Sequence, residues 1–193
     1  MFYWFAYCIV KTLGAIFSPR TVVGSANIPQ DGAFIIAGNH LSIIDPFLIG
    51  LSLRRRISYM AKDALFHNQI LKWMLQNVEA FPIRRGSADV WALRETLRRL
   101  KRGMPVVMFP EGTRKTSTME NKMQSGIGFL AVKGNVPIVP VHIKGSDKVL
   151  PPGAKLPKRN RVTISFGKPL IFSDEQSYSE IVTQVMNEIL TLG

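Results

Sequence analysis

Two short runs of apolar residues, at 33–37 and 105–109, each lead into a polar motif. A short, unbroken apolar run is typical of a strand that is buried on both faces, as in a sheet between two layers of helices. The first run is followed by His40, and the second by a Glu-Gly-Thr-Arg sequence at 111–114. Since open α/β sheets bind ligands at the C-terminal ends of their strands, we expect His40 at a ligand-binding edge.

The rest of the chain alternates between extended and helical segments. The clearest helix is 87–102, in which apolar residues recur at steps of three and four and Gly103 ends the pattern. Prolines interrupt the extended run at 136–143, which predicts an edge strand or a bulged strand. With 193 residues the chain is long enough for one α/β domain with a sizeable core. Further strands are predicted at 21–23, 57–60, 80–83 and 162–166, and further helices at 46–53, 68–77, 126–133 and 178–192.

The first 17 residues are apolar apart from Lys11 and Thr12. As a helix this segment would be about 25 Å long, shorter than the ~30 Å hydrocarbon core of a bilayer. No basic residue precedes the run and no small-x-small cleavage site follows it, so a secretory signal is not indicated. The aromatic residues near its start are of the kind that collects at a membrane interface. We predict a membrane-anchoring segment at 1–20 and a separate domain at 21–193, with a buried core helix as the alternative for the first segment.

The chain carries 25 basic and 13 acidic residues, a formal net charge of +12 at pH 7. Such a surplus attracts anionic partners, namely nucleic acid, anionic lipid headgroups or an acidic carrier protein. The sequence has no aromatic-rich basic strand, zinc pattern or helix-turn-helix signature, so nucleic acid is not expected as a partner. Cys8 is the single cysteine, which excludes an internal disulfide and a metal site of several cysteines. We expect no metal ion and no cofactor.

His40 and Asp45 supply an imidazole and a carboxylate, the minimum set for taking a proton from a hydroxyl group. On a regular helix two residues at this spacing would point about 140° apart and could not meet. We therefore predict that His40 lies in the turn after a strand and Asp45 in the first turn of the next helix, where Pro46 is well tolerated. At that position Asp45 has two alternative roles: a plain helix N-cap, or an acid that orients the imidazole.

The motif at 111–114 combines a glycine-containing turn with an arginine, which together make a suitable binding site for an anionic group. No serine, cysteine or lysine stands in an obvious nucleophile setting. This absence favours a histidine that acts as a base on a substrate over a covalent enzyme intermediate. Together the two motifs predict an enzyme.

In this order and spacing, the His-x4-Asp and Glu-Gly-Thr-Arg motifs resemble the glycerolipid acyltransferase family, in particular its 1-acyl-sn-glycerol-3-phosphate (lysophosphatidic acid) acyltransferases. Two further blocks agree, Phe-Pro-Ile-Arg-Arg-Gly at 81–86 and Val-Pro-Ile-Val-Pro-Val at 136–141. The resemblance runs from residue 24 to residue 170, and it departs at Arg84, where many members carry an acid. It implies a single α/β domain with a mixed, largely parallel central sheet flanked by helices, to which the N-terminal segment would add a membrane-associating helix.

By this resemblance the reaction is acyl transfer from acyl-CoA or acyl-acyl-carrier-protein to the sn-2 hydroxyl of lysophosphatidic acid, giving phosphatidic acid. His40 would be the general base and Asp45 its orienting acid. The enzyme would be membrane-associated at the cytoplasmic face, with anionic lipid as a further partner. The residues expected to bind the substrate and its phosphate are Arg85, Glu111, Gly112, Thr113 and Arg114.

Two alternative functions stay open. In the first, the same fold acylates glycerol-3-phosphate or another lysolipid. In the second, a basic protein binds membrane or nucleic acid without catalysis, and its support is the net charge of +12 alone.

Overall fold

A computed structural model describes residues 2–53, 55–84, 89–110, 120–151, 153–154 and 156–193, with the backbone alone for 120–125. The strands are β1 (Arg20–Val23), β2 (Ile35–Gly38), β3 (Ser58–Lys62), β4 (Ala80–Ile83), β5 (Val106–Met108), β6 (Ile138–Lys144) and β7 (Val162–Phe166). The helices are α1 (Phe2–Phe17), α2 (Asp45–Ser52), α3 (Gln69–Asn77), α4 (Val90–Lys101), α5 (Glu120–Gly134), α6 (Ser146–Val149) and α7 (Tyr178–Thr191).

The strands form one sheet in the order β1-β7-β6-β2-β5-β3-β4. Every neighbouring pair is parallel except β6 and β7, which are antiparallel. This confirms the predicted α/β fold with a mixed, largely parallel sheet. Because β2 to β6 all run in one direction, their C-terminal ends share one edge of the sheet, and β7 begins at that edge.

Helices cover both faces of the sheet and bury two apolar clusters. On one face Ile49 of α2 packs in a cluster with Ile36 of β2. On the other face Ile127 of α5 and Ile181 of α7 pack in a cluster with Ile35. All four residues of β2 are buried, and successive side chains enter opposite clusters. This confirms the prediction that the apolar run at 33–37 forms a strand buried on both faces.

The proline-containing run at 136–143 forms β6, which lies between β7 and β2, so the predicted edge position is wrong. The other predicted form, a bulged strand, is also not found for β6, because the extra residue between the Val141–Phe166 and Ile138–Leu170 pairs lies in the chain after β7. The carbonyl oxygen of Pro140 accepts a hydrogen bond from Gly167 N at 2.8 Å, on this irregular side. A strand residue directs its nitrogen and its carbonyl to the same side. The proline nitrogen, which has no hydrogen, is therefore absent from the regular ladder with β2.

Asp89 and Gly103 set the two ends of α4, which is shorter than the helix predicted at 87–102. The carboxylate of Asp89 accepts hydrogen bonds from Ala92 N at 3.0 Å and from Arg84 N at 2.8 Å, so the helix begins after it. Gly103 follows the last turn with φ 78°, a left-handed conformation that glycine adopts without strain. Residues 87–88 lie outside the described residues.

α1 is a surface helix packed on α2, so the alternative of a buried core helix is wrong. Its one buried side chain is Tyr3, whose hydroxyl accepts a hydrogen bond from Ile57 N at 3.4 Å. In the described part of the chain, no helix combines the length and the apolar character needed to cross a bilayer. Membrane association of α1 stays a prediction.

Exposed apolar side chains of α1 continue onto α3. The rings of Phe2 on α1 and Trp73 on α3 are in contact, with centroids 4.6 Å apart. Ile70 on α3 is 72% exposed, and Phe5 on α1 is 62% exposed. We call this surface the apolar face, and its large exposed side chains are Phe5, Ile9, Leu13, Ile70 and Trp73.

Candidate active site

His40 lies in the loop between β2 and α2, at the C-terminal edge of the sheet. Its Nδ1 atom is 2.9 Å from Oδ2 of Asp45, the first residue of α2. The imidazole is 9% exposed and the Asp45 side chain is 0% exposed. The spacing of the two residues predicts this arrangement, a histidine in the turn and an acid in the first turn of the helix. The catalytic role of the pair stays a prediction.

Asp45 uses a single carboxylate oxygen for three hydrogen bonds. Besides the contact with His40, Oδ2 accepts from Leu41 N and Ser42 N, both at 2.7 Å. Oδ1 is buried and has no hydrogen-bond partner among the described residues. The carboxylate turns back towards the His40 loop and does not cap α2, so the alternative of a plain N-cap is wrong.

These contacts determine which imidazole nitrogen is free to act. A carboxylate only accepts hydrogen bonds, so the hydrogen of a neutral His40 ring belongs on Nδ1, where it points at Asp45. Nε2 then keeps its lone pair. The pair can take a proton at Nε2 and balance the new positive charge with a buried carboxylate.

Two residues without a predicted role hold the His40 loop in place. The Asn39 amide donates to the carbonyl of Ile143 at 2.9 Å and accepts from the N–H of the same residue at 2.7 Å, which extends the pairing of β2 with β6. The hydroxyl of Ser42 donates to the carbonyl of Leu150 at 2.9 Å. Both partners lie more than 100 positions away along the chain. In the sequence, the feature that could have pointed to these two roles is that Asn39 and Ser42 are polar residues within two positions of His40.

Phe109 is a third contact that the motif pattern did not reveal. Its ring stacks on the His40 imidazole, with centroids 4.2 Å apart and an angle of 20° between the planes. Phe109 directly follows β5 and leads into the second motif. The stacking therefore connects the chain segments that follow the paired strands β2 and β5, and it restricts rotation of the imidazole.

The predicted substrate-binding residues all lie outside the described residues. Their described chain neighbours are Arg84, which directly follows β4, and Pro110, which lies two residues after β5, at the edge of the sheet that carries His40. The Arg84 side chain is 78% exposed, with Nε 4.0 Å from Oδ2 of Asp63. The predicted substrate-binding residues that lie outside the described residues are Arg85, Glu111, Gly112, Thr113 and Arg114.

Two apolar cavities flank α1, with volumes of about 310 and 470 Å³. Phe47 and Leu51 of α2 line both of them. Because α2 begins with Asp45, the helix that carries the acid also forms a wall of each cavity. Walls of this kind suit a fatty acyl chain.

A buried His-Asp pair at the C-terminal edge of a mainly parallel sheet is a feature of α/β enzymes. Residues 19–144 match the family described as Acyltransferase, and the chain belongs to that family.

Similar proteins carry a more specific name. The chain is 30% identical over 154 residues to a 1-acyl-sn-glycerol-3-phosphate acyltransferase of Bacillus subtilis, covering 79% of this chain and 74% of that relative. It is 31% identical over 165 residues to the Streptococcus pneumoniae protein of the same name, covering 84% of this chain and 60% of that relative. The crystal structure of the 1-acyl-sn-glycerophosphate (LPA) acyltransferase PlsC from Thermotoga maritima is similar with a TM-score of 0.73 and 28% identity, over 96% of this chain and 78% of that one.

Proposed function

We propose that this chain transfers an acyl group from acyl-CoA or acyl-acyl-carrier-protein to the sn-2 hydroxyl of 1-acyl-glycerol-3-phosphate. The products are phosphatidic acid and a free thiol, which places the chain in phospholipid biosynthesis. The observation that carries the proposal is the 2.9 Å contact between His40 and the buried Asp45, in a chain of the acyltransferase family. The names of the bacterial relatives support this choice of acceptor.

The reaction begins when Nε2 of His40 takes the proton of the sn-2 hydroxyl as its oxygen attacks the thioester carbonyl carbon. The imidazolium that results donates from Nδ1 to Asp45, whose negative charge stabilises it. The tetrahedral intermediate collapses by breaking the carbon–sulfur bond. The departing thiolate takes the proton from Nε2, so His40 returns to its starting state without an acyl-enzyme.

Fixed orientation of the base supports this mechanism. One face of the imidazole stacks on Phe109, and Nδ1 is bound to Asp45. The ring therefore has little freedom to lose when the substrate arrives, and a base that is already oriented lowers the entropic part of the barrier.

Arg85 and Arg114 are the proposed residues for the acceptor phosphate, since paired guanidinium donors match phosphate oxygens. Gly112 and Thr113 would add backbone N–H groups. A carboxylate repels phosphate, so Glu111 is proposed to orient Arg114 or the turn. The apolar cavities beside α1 are proposed to hold acyl chains.

We further propose that residues 1–20 attach a catalytic domain, residues 21–193, to the membrane surface. The apolar face offers large exposed side chains on α1 and α3, and the net charge of +12 favours anionic lipid. Acyl donors occur in the cytoplasm, so the enzyme would act at the cytoplasmic face of the membrane.

The test combines the purified protein with lysophosphatidic acid and each thioester donor, and identifies the lipid product by mass spectrometry. We expect phosphatidic acid from the wild type, and a rate lowered about 10²- to 10⁴-fold in His40→Ala and His40→Gln, because the base is lost. Thermal unfolding should show that both variants stay folded.

His67→Ala is the matched control, since that imidazole is 75% exposed and its carboxylate partner, at 3.5 Å, is Asp63 and not Asp45. It should keep the wild-type rate. Near-normal transfer by His40→Ala would remove His40 from the mechanism. Preference for glycerol-3-phosphate or another lysolipid in competition would replace the proposed acceptor.

A further inference from the structure

A cavity of about 570 Å³ lies at the same edge of the sheet as His40 and has no role in the mechanism above. The C-terminal end of β6, α6 and the start of β7 form most of its wall. Asn39 and Leu41, the chain neighbours of His40, line it as well. Its volume falls in the range of small-molecule sites.

The wall of this cavity carries an excess of positive charge. Three cations, Lys144, Lys148 and Arg161, stand with one carboxylate, that of Asp147. Within the described ranges none of the three cations forms an ion pair. We call the site the basic cavity. Exposed cations without an acidic partner are available to an anionic ligand.

The backbone that bears these cations is held by specific contacts. The amide of Asn160 donates to the carbonyl of Gly145 at 2.9 Å and to that of Arg161 at 2.8 Å, which ties the end of β6 to the start of β7. Gly145 has φ 89°, and a Cβ atom there would lie 2.6 Å from the Arg161 carbonyl oxygen. Only glycine permits this close approach. The backbone at the rim of the cavity therefore has a defined conformation without a ligand.

We propose that the basic cavity binds the phosphate of phosphopantetheine, the arm that carries the thioester in both acyl-CoA and acyl-carrier protein. The inference rests on the proposed acyl transfer. Two anionic substrates must reach His40 at the same time, and their phosphates repel each other. The residues proposed for the acceptor phosphate follow β4 and β5 on one side of β2, whereas the basic cavity follows β6 on the other side. The thioester end of the arm would then pass beside Asn39 and Leu41 to reach His40.

The first test measures binding without turnover. Coenzyme A and holo-acyl-carrier-protein are each titrated by calorimetry into the wild type and a cavity variant. We expect Kd for both probes to rise about tenfold or more in the cavity variant, because charge-assisted contacts to phosphate are lost. The cavity variant is Lys144→Ala/Lys148→Ala/Arg161→Ala.

The matched control loses the same charge from α4 and α5, on exposed positions that do not line the cavity. Its Kd values should change by less than about twofold, since distant surface charges are screened. An equal loss of affinity in the two triple variants would show that net charge alone causes it, and this result would overturn the proposal. So would an unchanged Kd in the cavity variant, or a loss confined to the carrier protein. The control variant is Arg94→Ala/Lys101→Ala/Lys133→Ala.

Steady-state kinetics separate this site from the acceptor site. The cavity variant should raise the donor KM about tenfold and leave the acceptor KM unchanged, whereas Arg114→Ala should do the opposite. A raised acceptor KM in the cavity variant would assign the cavity to the acceptor and overturn the proposal. Coenzyme A binding that depends on the cavity, in a wild type that transfers no acyl group, would defeat the proposed function alone. Normal transfer with donor binding unaffected by the cavity variant would defeat this inference alone.

Discussion

At the scale of single residues, Asp45 serves the fold and the proposed chemistry with the same oxygen. Oδ2 accepts from two backbone N–H groups of the His40 loop and lies within hydrogen-bond distance of the imidazole. An asparagine could keep its amide oxygen in this place and satisfy the same donors, but it would lack the negative charge. An asparagine at position 45 therefore tests the effect of the negative charge separately from the effect of the hydrogen-bond geometry.

We predict that Asp45→Asn stays folded while its kcat falls about 10²- to 10⁴-fold, because a neutral amide does not stabilise the imidazolium. Asp45→Ala should lose activity and also about 1–3 kcal/mol of stability, because the N–H groups of Leu41 and Ser42 are left buried without an acceptor. Kinetic assays and urea unfolding check the two effects separately. A kcat of Asp45→Asn close to that of the wild type would show that the charge has no part in the reaction.

The sequence predicted the placement of His40 and Asp45 because the two residues are close along the chain. On one regular helix their side chains would point in different directions, so His40 was expected in the turn before the helix. It did not predict Asn39 or Phe109 as supports of the imidazole. Asn39 binds Ile143, 104 positions away, and Phe109 directly follows another strand, β5. Contacts of this kind depend on strand order, which no local spacing encodes.

At the scale of secondary-structure elements, the packing of α2 on β3 depends on a glycine. The Tyr59 hydroxyl of β3 occupies the space where a Cβ atom of Gly50 would lie. Burial raises the pKa of the Tyr59 phenol, and the neighbouring Tyr3 of α1 raises it further. The phenol therefore stays neutral and links α1, α2 and β3.

We predict that Gly50→Ala lowers the free energy of unfolding by about 1–3 kcal/mol, because the added methyl group overlaps the Tyr59 hydroxyl. The cost should shrink by about 1 kcal/mol in a Tyr59→Phe background, which removes the oxygen involved. Urea unfolding of the four proteins in this double-mutant cycle provides the measurement.

The control is Gly126→Ala in α5, where a Cβ atom would meet Leu93 at an ordinary 3.6 Å. That variant should gain up to about 1 kcal/mol from helix propensity. An equal cost of Gly50→Ala with and without the Tyr59 hydroxyl would contradict the proposed overlap.

Most elements were predictable because their signals are local. The apolar run at 33–37, the three- and four-residue period in α4 and the stop at Gly103 each reflect a short stretch of chain. The edge assignment of the run at 136–143 failed for a different reason. Its Pro140 directs its nitrogen towards the chain after β7, where the extra residue lies, and this irregular side is a property of the pairing with β7.

At the scale of the whole molecule, the apolar face is set by how α1 and α3 lie side by side. Replacing apolar side chains on this face tests membrane binding better than deleting α1, because Tyr3 is buried and a deletion would disturb the packing on α2. Serine substitutions remove apolar area and leave the net charge unchanged.

We predict that Phe5→Ser/Ile70→Ser weakens binding to anionic vesicles by about tenfold or more, since each large side chain contributes roughly 1.5–3 kcal/mol when fully buried. Flotation with vesicles containing phosphatidylglycerol gives the bound fraction. Ile171→Ser/Leu190→Ser is the matched control, because these side chains are 83% and 68% exposed but lie outside the apolar face. Equal binding of the two double variants would show that the membrane contact lies elsewhere.

The sequence by itself determined the α/β alternation and the separation of His40 and Asp45 between a turn and a helix, because these follow from hydrophobic period and helix geometry over a few residues. Tertiary structure alone decided the inner position of β6, the support of the imidazole by Asn39 and Phe109, and the basic cavity at the end of β6 and the start of β7. Each of these joins segments that are distant in sequence. Which of them meet depends on how the whole sheet buries its two apolar faces, and not on any one segment.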